Sequence, residues 1–458
     1  MTNKISIKFL GAASTVTGSK HLLQTPEQNI LIDCGLFQGI KSLRLRNWEP
    51  LPVNVSEIKT IIITHAHLDH CGYLPLLVKS GFKGNILMTR PTRDLVEIIL
   101  RDSARIQEED AERANRYGYS KHKPALPLYT DNDVEKTLGL FKAYNDKKWI
   151  TLSGDIRFRF TKNGHILGSC FVEMECYNKK IVFSGDIGRN KSELLQAPEK
   201  IDSADFLIME STYGNRLHSN GDVSEELSSV INSTIHKKGN LLIPSFAVGR
   251  AQELMHMILQ LKLKLHIPDI PIYMDSPMGA DATEILTRYP EWHKLSEPEC
   301  RALSHQITII RDWHETEKVI KKKGSKIVIA ASGMLTGGRV LEYIKHYIIN
   351  KKNTVLLAGY QAEGTRGRAL KEGVHELKIH GKYYPVHANI CEISSLSAHA
   401  DQQEMLDWLR QFKQKPGKIF LVHGEPMALE AFRVKINDTL GIDTIIPLQN
   451  EEHTLFKL

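Results

Sequence analysis

The sequence predicts an α/β protein in which one α/β domain interrupts another, and three observations carry the prediction. At 458 residues the chain is too long for a single ordinary hydrophobic core. Short apolar, β-branched runs that end in His or Asp fill the first half and return near the end. Between them, from Gly239 onward, strands, loops and helical patterns alternate as they do around a parallel sheet.

Lys4–Leu10 (KISIKFL), His21–Gln24 and Asn29–Asp33 (NILID), separated by Gly, Ser, Thr and Pro, read as a strand meander. Ile58–Thr64 (IKTIIIT) has the continuous apolar pattern of a fully buried strand, and a histidine cluster begins where it stops. Pro91–Tyr117 places apolar residues at helical spacing among many charges, giving one long or two shorter, mostly solvated helices. Lys180–Asp186 (KIVFSGD) and Asp205–Glu210 (DFLIME) are strands that each deliver an acid at the carboxyl end. In the interruption, Gly239–Pro244, Ile270–Met274, Lys326–Ala330 and Asn353–Ala358 are strands, with helices such as Ala251–Leu261 and Val340–Ile349 between them. After Pro385 come a loop at Ser397–Asp401, a helix near Gln402–Phe412, the strand Lys418–Val422, then His423-Gly424-Glu425 and a final helix. The expected division is residues 1–210, 211–388 and 389–458, the first and last forming one domain.

Composition excludes some classes. Hydrophobic residues at 41% and charged residues at 25% describe a globular chain rather than a disordered one. Lys and Arg exceed Asp and Glu by 60 to 53, a net +7 that favours a polyanionic partner. No run approaches the roughly 18 apolar residues of a membrane span, and the N-terminus lacks the pattern of a secretory leader, so no membrane partner and a cytoplasmic location are expected. The six cysteines form no CxxC pair and read as reduced core thiols.

The stretch Thr64-His65-Ala66-His67-Leu68-Asp69-His70-Cys71-Gly72 sets three imidazoles and a carboxylate in six positions. His65 and His67, two apart on a turn, can meet one metal ion, and Asp69 and His70 follow closely enough to reach a second. Imidazole nitrogen with carboxylate oxygen suits zinc. Two ions need further ligands at loop positions downstream, and His165 (NGHILGS), Asp186 (KIVFSGD) and His423 (KIFLVHG) stand there.

The order HxHxDH, His165, Asp186, His423 resembles the metallo-β-lactamase fold. Three further motifs make the chain similar to the β-CASP branch of nucleases: Glu210 in MESTYG, His399 in SAHAD and His423 in VHGE. The resemblance covers essentially the whole chain. It implies an αββα sandwich of two mixed sheets flanked by helices, with an inserted α/β β-CASP domain. His423 in the third motif implies RNA rather than DNA, and Leu68 makes the cluster look like that of the messenger-RNA 3′-end cleavage subunit and its prokaryotic relatives. Neither the added C-terminal domain of ribonuclease J nor the N-terminal KH domains of many archaeal members are expected, so RNA affinity is expected to lie in the catalytic body.

By this resemblance His65, His67 and His165 would hold one Zn2+, Asp69, His70 and His423 a second, with Asp186 bridging and Asp69 counted also as catalytic. The expected activity is endonucleolytic or 5′–3′ exonucleolytic cleavage of single-stranded RNA to 5′-phosphate and 3′-hydroxyl ends. His399 would protonate the leaving oxygen, with Glu210 keeping it cationic. Asp33 in LIDCG would support the metal loop without ligating. In the insertion, loops around Ser245 and Arg250 and from Ser332 through Gly333, Thr336, Gly337, Gly338 and Arg339, with Arg366 nearby, would hold RNA phosphates at helix N-termini. A homodimer is a further expectation. A catalytically silent scaffold and a small-molecule two-zinc hydrolase are the alternatives.

Overall fold

The computed structural model describes residues 4–118, 120–219 and 221–458. The chain forms two compact units, one of Met1–Asn190, Ala197–Leu217 and His399–Leu458, the other of Lys191–Gln196 and His218–Ala398. The units change at 217/218 and 398/399, whereas the sequence reading set the divisions at 210/211 and 388/389. The segment after Glu210 stays with the first unit because Ser211 N donates to His423 O (3.3 Å) and Thr212 Oγ1 to the same carbonyl (3.2 Å). Lys191–Gln196 joins the second unit through Lys294 N to Leu194 O (2.9 Å).

In the first unit the strands are β1 (Lys4–Phe9), β2 (His21–Gln24), β3 (Asn29–Ile32), β4 (Ile58–Ile62), β5 (Asn85–Thr89), β6 (Phe141–Tyr144), β7 (Ile150–Ser153), β8 (Ile156–Lys162), β9 (Cys170–Cys176), β10 (Lys179–Phe183) and β11 (Phe206–Glu210). The second unit holds β12 (Leu241–Pro244), β13 (Ile272–Asp275), β14 (Thr308–Ile310), β15 (Ile327–Ala330), β16 (Thr354–Leu357), β17 (Glu376–Ile379), β18 (Lys382–Pro385) and β19 (Asn389–Glu392). The chain then returns to the first unit with β20 (Lys418–Val422), β21 (Thr444–Ile445) and β22 (Glu452–Lys457).

Two seven-stranded sheets build the first unit among the described residues, in the orders β22-β1-β2-β3-β4-β5-β6 and β21-β20-β11-β10-β9-β8-β7. Both are mixed: β3, β4 and β5 run parallel, as do β10, β11 and β20, while β8–β9 and β9–β10 are antiparallel. The sheets meet face to face where Phe9 of β1 lies 5.4 Å from Phe420 of β20, ring to ring. On the other face of the second sheet, Phe171, Val182, Met209 and Leu421 pack against Trp408 of helix Gln402–Leu409 and Phe432 of helix Pro426–Leu440.

The strands β6 to β9 were not anticipated. In β8, Ile156, Phe158 and Phe160 are buried while Arg157 and Arg159 face outward, the alternation of a sheet with one wet face. Helix Arg90–Tyr117 is a single element, capped by Thr89, whose hydroxyl accepts from Thr92 N.

The second unit has a parallel six-stranded sheet, β14-β13-β15-β12-β16-β19, as the alternation of strand and helix predicts. Its core gathers Leu242, Val328 and Val355 against Tyr343 and Ile344 of helix Val340–Tyr347. A β17–β18 hairpin stands apart from that sheet.

Candidate metal centre

The carboxyl ends of β4, β10, β11 and β20 deliver the polar residues of the first unit, the edge at which parallel strands of α/β sheets present their loops. His65 and His67 lie on the loop after β4. Asp69 and His70 occupy a one-turn helix, Leu68–Cys71, so only the first half of the cluster is loop. His165 sits in the turn between β8 and β9, Asp186 follows β10, Glu210 ends β11 and His423 follows β20. Register does the rest: Glu210 pairs with Val422 across the parallel β11–β20 ladder, which sets the MEST and VHGE motifs side by side.

Two close approaches fix the loops. A Cβ on Gly35 would stand 1.6 Å from Asp69 O and 2.6 Å from His70 N. One on Gly188 would stand 2.0 Å from Gly164 O and 2.6 Å from His165 N. Only glycine lets these segments touch the ligand loops. Asp33 and His423 both adopt the left-handed region, with φ of 59° and 51°, strain that the surrounding hydrogen bonds hold in place.

All seven expected ligand residues converge. His65 Nε2 lies 3.1 Å from His67 Nδ1, His165 Nε2 3.2 Å from the same atom, and both Nε2 atoms 3.4 Å from Asp186 Oδ2. Beside them, His423 Nε2 lies 3.3 Å from Asp69 Oδ2 and 3.3 Å from His70 Nε2, and His70 Nε2 is 3.2 Å from Asp186 Oδ1. A tetrahedral ion with ligand bonds of about 2.0–2.1 Å has ligand–ligand edges of roughly 3.3–3.4 Å. The donor set therefore fits zinc, and Asp186 turns one oxygen to each group.

Electrostatics agree with that use. Burial pushes the imidazoles of His65, His67 and His165 down, that of His67 to about 3, which keeps them in the neutral form that ligates. Burial works against charge at Asp69 and Asp186 as well, yet His423 and His70 outweigh it and hold both carboxyls below their usual range. At His70 burial is likewise overcome, by Asp186 and Asp33, and its proton is held well above the ordinary value. Two ionised carboxylates at its centre make this a place for positive charge.

Asp33 does not enter the ligand group. Its carboxylate accepts from Thr64 N (2.8 Å), from Thr64 Oγ1 and from His70 Nδ1.

Glu210 is fully buried, and its two oxygens lie 3.1 and 3.2 Å from His399 Nδ1. They also accept from Ile187 N and from Thr212 N (3.2 Å). Burial lowers the His399 pKa but the Glu210 charge and hydrogen bond raise it further, to about 9. His399 Nε2 is 4.0 Å from Asp186 Oδ2, so the ring borders the ligand group.

In the second unit the loop residues form an internally braced turn. Ser332 Oγ accepts from Thr336 N (3.1 Å) and Gly337 N (3.4 Å), while Leu341 N donates to Gly338 O (3.2 Å). Gln361 Nε2 donates to Gly333 O (3.3 Å), and Ser245 N to Ala330 O (3.0 Å). The arginines have partners within the second unit. Arg339 Nη1 donates to buried Asp275 (2.7 Å) and to Asp312 O (3.3 Å), Arg366 to Lys378 O (2.7 Å) and Leu335 O (3.1 Å), and Arg250 pairs with Glu253. Arg366 thereby braces the Ser332–Gly338 turn, Arg339 ties the end of that turn to a buried carboxylate, and Arg250 is engaged within its own helix.

Several supporting residues went unforeseen. Thr212 Oγ1 lies 3.0 Å from His423 Nδ1, and Ser169 Oγ accepts from His165 N (3.0 Å). Both flank predicted motifs, MESTYG and NGHILGS, and short hydroxyl residues next to a ligand loop were the available signal.

Comparison with known proteins follows the same lines. Residues 18–228 match the metallo-beta-lactamase superfamily, 251–370 the Beta-Casp domain and 383–447 the Zn-dependent metallo-hydrolase RNA specificity domain. Ribonuclease TTHA0252 of Thermus thermophilus is 33% identical over 92% of this chain and 93% of its own length. An RNase J-like protein of Methanocaldococcus jannaschii is 31% identical over 97% and 98%, and the transcription termination factor FttA of the same organism 32% over 97% and 70%. A crystal structure of a protein of unknown function from Enterococcus faecalis V583 shares the fold at TM-score 0.50 and 12% identity, over 98% of this chain and 100% of that one. No helix among the described residues is long and apolar enough to cross a membrane. The chain belongs to the β-CASP ribonucleases, metal-dependent hydrolases built on the metallo-β-lactamase fold.

Proposed function

We propose that the centre holds two zinc ions and hydrolyses phosphodiester bonds of single-stranded RNA, internally or from the 5′ end, leaving 5′-phosphate and 3′-hydroxyl. The observation that carries this is the ligand spacing, two groups with 3.1–3.4 Å contacts joined through Asp186. His65, His67 and His165 would hold one ion, Asp69, His70 and His423 the other. Bound there, zinc supplies a water of pKa near about 7 and neutralises charge on the phosphoryl oxygens.

The chain's own residues do the remainder. Glu210 fixes the His399 ring through Nδ1 and favours its protonated form, which leaves a proton on Nε2. That proton passes to the 3′-oxygen as it leaves, and burial of Glu210 keeps the pair from exchanging partners with solvent. In the second unit, the backbone of the Ser332–Gly338 turn and Ser245 would hold RNA phosphates without reading bases.

The test is end-labelled single-stranded RNA and its DNA counterpart, incubated with wild type and His399→Ala, with and without chelator. Chelator-sensitive cutting of RNA that drops at least about a hundredfold in the variant is expected. Equal rates for the two proteins would remove His399 as donor, and cutting of DNA alone would overturn the substrate.

A further inference from the structure

We propose that residues 37–48 form a stacking platform for single-stranded RNA beside the metal centre, with Trp48 as the stacking face and Lys41, Arg44 and Arg46 meeting phosphates. The proposal rests on the RNA reading above and assigns the surface on which part of that strand lies.

The short helix Lys41–Leu45 buries none of its residues. Around it Ile40 is 37% exposed, Leu45 50% and Trp48 57%. One exposed apolar residue needs no explanation, but an aromatic and two aliphatics on one twelve-residue loop mark a surface for a partner.

The loop is stiff although its outer face is unpacked. Buried Asn47 closes it in both directions, accepting from Phe37 N (2.9 Å) and donating to Phe37 O (2.8 Å). Gln38 N donates to Thr17 Oγ1 (3.2 Å). Beneath, Lys20 is almost wholly buried, its ammonium 4.5 Å from the Phe37 ring centre and 4.9 Å from that of Tyr73, donating to Gly18 O and Gly35 O. Arg46 lies 5.6 Å from the same Phe37 ring. A loop held in this way loses less backbone freedom when its outer face meets a base.

Its base is continuous with the metal loops. Leu36 N donates to Leu68 O (3.1 Å), Cys34 N to His70 O (2.7 Å) and Ser19 N to Asp69 O (2.8 Å). The chain leading into the platform is therefore tied to the segment that carries Asp69 and His70.

Charge selects the occupant. From Gln38 to Trp48 the sequence has three cations and no acid, Glu49 being the first. Among the described residues none of the three makes an ion pair, and Arg44 donates only to a carbonyl, Gly39 O (3.0 Å). Cations beside an exposed indole suit a chain of phosphates and bases, whose stacking is indifferent to sequence. The competing occupant is a second copy of this protein.

The experiment uses the full zinc-loaded chain, wild type, Trp48→Ala and Trp48→Phe. It reads steady-state cleavage of a dinucleotide and of an oligouridylate of about twenty nucleotides, and molar mass by light scattering. Trp48→Ala is expected to raise KM for the long RNA about tenfold more than for the dinucleotide, while Trp48→Phe retains most of the length preference. An unchanged preference in Trp48→Ala removes the platform and leaves the ribonuclease reading intact. Equal losses on both substrates would make Trp48 a support of the metal loop and overturn the proposal, and a change from dimer to monomer would assign the face to a second copy. If wild type cuts neither RNA, both readings fall.

Discussion

His70 donates from Nδ1 to Asp33 Oδ2 across 2.7 Å, and the same carboxylate receives the backbone N–H and hydroxyl of Thr64. One buried acid at the end of β3 thereby fixes the loop after β4 and the ring of a candidate ligand. With Nδ1 occupied, Nε2 is the atom His70 turns toward Asp186 and His423.

Asp33→Ala removes that orientation without touching a ligand. Zinc affinity, measured by competition with a chromophoric chelator, is expected to fall about ten- to a hundredfold. Affinity equal to wild type would show that the ring is fixed by other contacts.

Glu210 sets the charge of His399. In the metal-free protein the His399 imidazole, followed by NMR, should titrate near 9, above its ordinary 6.5. Its contribution to stability is then fully present below 6.5 and lost as pH rises through about 9. In Glu210→Gln burial is opposed only by Asp186 and Asp69, and the titration should move down from that of wild type. A midpoint unmoved by the substitution would break the proposed link.

Gly35→Ala tests the packing under Asp69. The added methyl meets backbone at 1.6 Å, which no side-chain rotation relieves, so the loop must shift. A loss of about 3 kcal/mol or more in denaturant unfolding is expected, with zinc binding weakened alongside. A variant of wild-type stability would contradict the observed approach.

Arg339→Ala separates bracing from phosphate binding. It leaves Asp275 buried with Tyr343 and Thr316 as its remaining partners, and a loss of about 3–5 kcal/mol is expected. A rise in KM for RNA with stability unchanged would restore the phosphate-binding role.

What the sequence revealed follows from where the information is local. The cluster His65 to His70 announces itself in six positions, and β-branched runs ending in Asp186 and His423 place their last residues at one edge of the sheet. Asp33 was legible through LIDCG. The pairing of Arg339 with Asp275 was not, because the two lie 64 positions apart and nothing local announces the contact. Lys20 was invisible for a related reason: only the fold shows that Phe37 and Tyr73 enclose it. The strands β7 to β9 carry a period-two pattern, but no special residue punctuates it until the His165 turn.

The most direct measurement is the zinc content of purified, zinc-equilibrated and extensively dialysed protein, wild type beside Asp186→Ala. Two joined ligand groups predict about two zinc ions per wild-type chain and at most one in the variant, since Asp186 serves both groups. A wild-type chain that retains none, or a variant that still retains two, would contradict the account.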